Sequence, residues 1–150
     1  MVRTQMGGQP GKDLIQAIAE ERLQAIIGNT TPEAMQALVK EADRFGKELS
    51  SSLTTSQIRN IFGEVRSIEQ EVPVGAEKLP ITVQRRLLML KPKLAYQVGR
   101  FSNNKALRAF ADTISRAIEL VGDDARRFHT FVDLFEAILA YHRYYGGKTN

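Results

Sequence analysis

The chain has 150 residues, 43% hydrophobic and 25% charged, with a formal net charge of +4. That length suits one domain with one core, and the composition is that of an ordinary soluble globular protein. The lack of cysteine excludes disulfides, thiolate zinc sites and cysteine nucleophiles, and no apolar run reaches the roughly 18 residues of a membrane span. The opening stretch MVRTQMGGQPGK has no apolar run followed by a small-residue cleavage site, so the expectation is a cytoplasmic protein with residues 1–12 flexible.

Apolar residues recur at helical spacing throughout, and no segment alternates apolar and polar over strand length. The expected fold is all-α, a compact single-domain bundle of about five to six helices. DLIQAIAEERLQAIIG offers Leu14, Ile15, Ile18, Leu23 and Ile26, with Gly28 as the stop. Next, Thr31 and Pro32 are placed as N-cap and first helical residue, ahead of a stripe of Met35, Leu38, Val39, Ala42, Phe45 and Leu49. Thr54 and Gln57 have the spacing of a capping box, with Leu53 and Ile58 where a hydrophobic staple sits, so a helix starts at about Thr55. Its apolar face is Ile58, Ile61, Phe62, Val65 and Ile68; Arg59 and Arg66 share the polar side.

EQEVPVGAEKLP reads as the longest loop, punctuated by Pro73, Gly75 and Pro80. Residues 83–101, taken as one helix, put Val83, Leu87, Leu90, Leu94, Val98 and Phe101 in a stripe about 80° wide. Pro92 lies inside it and predicts a kink or two nearly collinear pieces. Asn103 or Asn104 caps KALRAFADTISRAIELV, which ends at Gly122. The last helix follows Asp123 and Asp124 and finishes at Gly146.

Charge is uneven along the chain. Residues 78–108 carry eight basic groups and no acidic one, whereas residues 1–50, 51–77 and 109–150 are each slightly acidic. On the helix of residues 83–101, Arg85, Arg86, Lys93 and Arg100 share one flank of the apolar stripe with Tyr96, and Lys91 points to the other. Arg86, Lys93 and Arg100 recur every seven residues, about 10.5 Å along the axis, a spacing that would track a phosphate backbone as a rail of cations. Tyr96 either covers the edge of the core or stacks on a base.

Catalytic chemistry has little to draw on. His129 and His142 are thirteen apart and fit no metal-ligand spacing. His142 projects on the apolar stripe as a hydrogen-bonded core or interface histidine, and His129 is solvated. Asp123 and Asp124 are read as cap and dipole partners rather than a catalytic pair. The phosphate-binding loop motifs and the GxSxG elbow are absent, and MGGQPGK is merely glycine-rich. Neither a catalytic residue, a metal nor a cofactor is expected.

LTTSQIRNIF, LKPKLAYQVGR and FVDLFEAILAYHRYYGGK, in that order, resemble the Csm small-subunit family of type III-A CRISPR effector complexes, over about Thr31 to Lys148. The resemblance implies a helical bundle that is not a nuclease. Copies of it stack as an inner filament beside the crRNA-carrying backbone subunits and the large subunit, and they contact crRNA and target RNA through basic residues. Carried onto this chain, it marks Arg59, Lys91, Lys93 and Arg100 as positions where the family is basic; Arg85 and Arg86 come from the helical-face argument alone. It gives Tyr141 and His142 a packing or subunit-contact role. The expected function is a non-catalytic RNA-binding subunit in antiviral defence. The competing expectation is a helical protein adaptor whose basic flank docks an acidic surface. The aromatic C-terminus with Tyr141, Tyr144 and Tyr145 makes a weak homodimer in isolation plausible.

Overall fold

A computed structural model describes residues 15–147, within which seven helices run in order: α1 Glu20–Ile27, α2 Pro32–Leu49, α3 Thr55–Glu69, α4 Ile81–Leu88, α5 Leu90–Arg100, α6 Lys105–Val121 and α7 Ala125–Tyr144. The expected all-α bundle is therefore present. The number of helices rises because residues 83–101 form parts of two helices, α4 and α5. The expectation of a flexible stretch over residues 1–12 falls outside the described residues, as does Leu14.

Local sequence chemistry sets most helix starts. Thr31 Oγ1 accepts from the amide of Ala34 at 3.1 Å, with Pro32 as the first helical residue, where its missing N–H has no intrahelical partner to lose. At α3 the capping box closes in both directions: Thr54 Oγ1 accepts from the Gln57 amide, and Gln57 Oε1 accepts from the Thr54 amide. Asn104 and Asp124 cap α6 and α7 in one direction, accepting from the amides of Leu107 and Arg127. Gly122 and Gly146, both at positive φ, follow the ends of α6 and α7 and adopt a backbone that a Cβ would strain.

The first helix is shorter than its apolar pattern predicts. Residues 15–19 are not helical, because their amides find partners elsewhere: Gln16 donates to Glu48 Oε1 and Ile18 to Thr113 Oγ1, each at 3.1 Å. Ile18 is still buried, so the apolar residue is placed in the core by tertiary hydrogen bonds rather than by a helix.

The core forms around α7, which packs against α1, α2, α3 and α6. Phe45, Phe110, Phe128, Phe131 and Phe135 are all fully buried. The ring of Phe135 lies 5.2 Å from that of Phe62, 5.5 Å from Phe110 and 6.2 Å from Phe131. Gly46 permits the close approach of α2 to α7: a Cβ there would lie 2.8 Å from the Tyr141 Cβ and 2.9 Å from the His142 amide nitrogen. On α2 the buried stripe is Ala34, Ala42, Phe45, Gly46 and Leu49, while Met35 and Val39 are exposed, contrary to the predicted stripe. They stand on its flank, where no described element covers them. The loop before α4 is tied to the start of α7 by Leu79 N–H to Asp123 O at 2.8 Å and Ala125 N–H to Glu77 O at 3.0 Å.

His142 is fully buried, as its place on the apolar stripe implies. Its ring lies 2.6 Å through Nε2 from the Leu53 carbonyl oxygen, and a carbonyl can only accept, so Nε2 carries the hydrogen and donates. Nδ1 is left as a buried lone pair without a partner. Burial holds the imidazole below its ordinary pKa, 6.5, because a charged ring would gain an Nδ1–H with nothing to receive it. In the unfolded chain the ring binds its proton more readily. The stability it contributes is thus complete above about pH 6.5 and is lost as the pH falls toward the depressed folded value. The thermal midpoint should drop between about pH 7.5 and pH 5.5, and His142→Gln, which keeps a donor for Leu53, should flatten that dependence. A wild-type profile parallel to that of the variant would contradict this.

Candidate nucleic-acid interface

Residues 78–108 enter space as α4, α5 and the start of α6. The break between α4 and α5 falls at Met89, whose backbone stays near helical values at φ −70° and ψ −10°. Pro92 lies in the first turn of α5, where a missing N–H leaves no intrahelical bond unmade. Pro92 therefore does not itself break the helix; the joint precedes it. Leu87, Leu90 and Leu94 are buried on both sides of the joint, so one apolar stripe continues through it. Its predicted last member differs: Phe101 is 40% exposed at the end of α5.

The stripe packs α4 against α3 and α5 against α6, and the acid-free sequence meets acids through space. Arg86 pairs with Glu71 at 2.7 Å and Glu64 at 3.6 Å, and donates to Ser67 Oγ at 3.3 Å. Lys93 reaches the same Glu64 at 3.4 Å. The shared carboxylate shows that Arg86 and Lys93 do lie on one side across the joint. Lys91 points the other way, to Glu119 on α6, as predicted.

The proposed rail is therefore corrected in one respect: two of its three cations already pair with carboxylates of α3 and of the loop that follows it. A contiguous sequence pattern cannot reveal carboxylates supplied by another helix. Arg100, the third member, has its guanidinium 5.2 Å from the ring centroid of Phe101 and 6.0 Å from that of Tyr96. Arg59 on α3 and Arg85 on α4 are exposed. Among the described residues neither of them, nor Arg100, Lys105 or Arg108, forms an ion pair with a carboxylate. The pairs made by Arg86, Lys91 and Lys93 involve partly exposed groups, and such pairs contribute only about 0–1 kcal/mol. A phosphate can compete with them.

Tyr96 is 64% exposed and Met89 53% exposed, so Tyr96 does not serve to seal the core. Both line an open cleft of about 400 Å³ between α3 and α5, together with Ile61, Pro92 and Lys93. The sequence reading missed this cleft: it placed the kink or joint at Pro92, whereas the joint falls at Met89, and the wall from α3 is brought in through space.

Among the described residues there is no group of three or more His, Asp or Glu side chains placed to hold a metal ion, and no helix long and apolar enough to cross a membrane. His129 stands exposed at 3.8 Å from Glu69, and Asp124 is occupied as the cap of α7. Comparison with curated proteins and with solved structures gave no match. A family model described as Csm2 Type III-A, however, matches residues 32–148, spanning α2 to α7 and all six candidate cations, and the chain belongs to this family, the small subunits of type III-A CRISPR Csm complexes.

Proposed function

We propose that the chain is a non-catalytic subunit that contacts the crRNA and target RNA of its Csm complex, stacking with further copies of itself beside the backbone and large subunits. Such a role belongs to antiviral defence in the cytoplasm. The observation that supports it best is the set of exposed cations without carboxylate partners among the described residues, Arg59, Arg85 and Arg100, on and beside an acid-free segment. Contacts to backbone phosphates fix position without reading sequence, which suits a subunit that must accept any guide. Several weak contacts repeated along stacked copies would add up by effective concentration. Arg86, Lys91 and Lys93 join this surface when phosphates displace Glu64, Glu71 and Glu119.

One observation favours a second reading, that of a protein adaptor without RNA contact: those same three cations are already satisfied inside the chain. The two readings separate in a Csm complex assembled without its small subunit, loaded with crRNA and target, and supplemented with this chain before ultraviolet crosslinking. Incorporation with crosslinks from the chain to either RNA is the outcome of the RNA-contact reading. Incorporation without any RNA crosslink would overturn it in favour of the adaptor.

A further inference from the structure

We propose that the cleft between α3 and α5 receives one unstacked nucleobase of a single-stranded RNA, with Tyr96 as its stacking platform. This rests on the RNA-contact reading above and goes beyond it, since phosphate contacts alone need no cleft and no aromatic ring.

Five features converge there. Tyr96 is 64% exposed, a large apolar ring left in water beside cations. Stacking on a base would remove it from water, and base–aromatic stacking is worth about five- to 150-fold in affinity per base. Met89, Pro92 and Ile61 supply further apolar surface in the same cleft. Its volume of about 400 Å³ lies in the lower part of the range of small-molecule sites, roughly 300–1,000 Å³.

The side-chain amides of Asn60 and Gln97 also line the cleft. Each has two N–H donors and a carbonyl acceptor, the complement of a base edge, and either can rotate to suit different bases. Cations flank the platform: Lys93 lines the cleft, where it pairs with Glu64 at 3.4 Å in an exposed contact that a phosphate can displace, and Arg100 stands at the ring of Tyr96. Phosphates on either side of an inserted base would meet them. An apolar peptide would gain from the ring but not from the cations, whereas a duplex would gain from the cations but presents no free base face. A single strand uses both.

The test uses the full chain and fluorescence anisotropy with two labelled strands of about 20 nucleotides, one ordinary single-stranded RNA and one whose bases are replaced by abasic spacers. Wild type should bind the ordinary strand about tenfold more tightly than the abasic one. Tyr96→Ala should lose that advantage, binding both strands alike, and Tyr96→Phe should keep it. Equal wild-type affinity for both strands, with a steep salt dependence, would overturn the base site while leaving the phosphate surface standing. No binding to either strand at low salt would overturn both. An equal loss on both strands in Tyr96→Ala would assign the residue to backbone contact and overturn the stacking role.

Discussion

Replacing Arg59, Arg85 and Arg100 together by Gln weakens binding of single-stranded RNA by about a hundredfold at about 0.1 M salt. The magnitude follows from counterion release: each phosphate contact changes log K by about 0.7 per decade of salt, so one contact is worth about fivefold at 0.1 M relative to 1 M, and three are worth about a hundredfold. These three are chosen because they are exposed and have no carboxylate partner among the described residues. Mutating Arg86 or Lys93 instead would strip Glu64 and Glu71 of their partners and confuse lost attraction with new repulsion. The same geometry predicts an effect of opposite sign. Glu64 lies 3.4 Å from Lys93 and 3.6 Å from Arg86, which keeps Glu71 at 2.7 Å, so Glu64→Gln frees Lys93 and should raise RNA affinity by about fivefold. Anisotropy titrations of both variants check this, and a Glu64→Gln variant that binds no better than wild type would show that Lys93 takes no part.

Phe135→Ala lowers the unfolding free energy by about 3–5 kcal/mol, the range for truncating a buried Phe to Ala. Phe135 is fully buried and lies within ring contact of Phe62 on α3, Phe110 on α6 and Phe131 on its own helix. Removing it opens a cavity where three helices meet and forfeits the edge-to-face contacts with Phe110 and Phe131. Domains of this size have total stabilities of about 5–15 kcal/mol, so the loss is a large fraction of the total and should lower the thermal midpoint by about 10 °C or more. Urea denaturation should show a lower midpoint with unchanged slope. Met35→Ala is the control: Met35 is 61% exposed, and its loss should change stability by no more than about 0.5 kcal/mol. A loss of several kcal/mol at Met35 would mean that α2 is covered by something the described fold does not contain.

Much of this fold is legible in the sequence, because caps and stripes are local. Thr31, Thr54, Asn104 and Asp124 each accept from an amide three residues on, and those bonds depend on a few adjacent residues only. What stays hidden depends on through-space partners. Gln16 and Ile18 donate to Glu48 and Thr113, and no helical pattern foretells that residues 15–19 are not helical. Met35 and Val39 fit an apolar stripe as well as Phe45 does; which flank is buried is decided by where α7 lies. The family was legible for a different reason: three motifs in order cover the same span, about Thr31 to Lys148, that the family match covers, residues 32–148. The candidate surface was half legible. The cations of residues 78–108 were evident, but Glu64, Glu71 and Glu119, which answer three of them, come from two helices and a loop outside that segment.

Affinity for single-stranded RNA across a salt series, measured on the wild-type chain, bears most directly on whether this surface serves RNA. Arg59, Arg85, Arg100, Lys105 and Arg108 are exposed and would engage about five phosphates, for a slope of about −3.5 in log K against log salt. A fourfold rise in salt should therefore weaken binding about a hundredfold. A flat dependence, or no binding even at low salt, would contradict an RNA surface on this chain and leave the adaptor reading in its place.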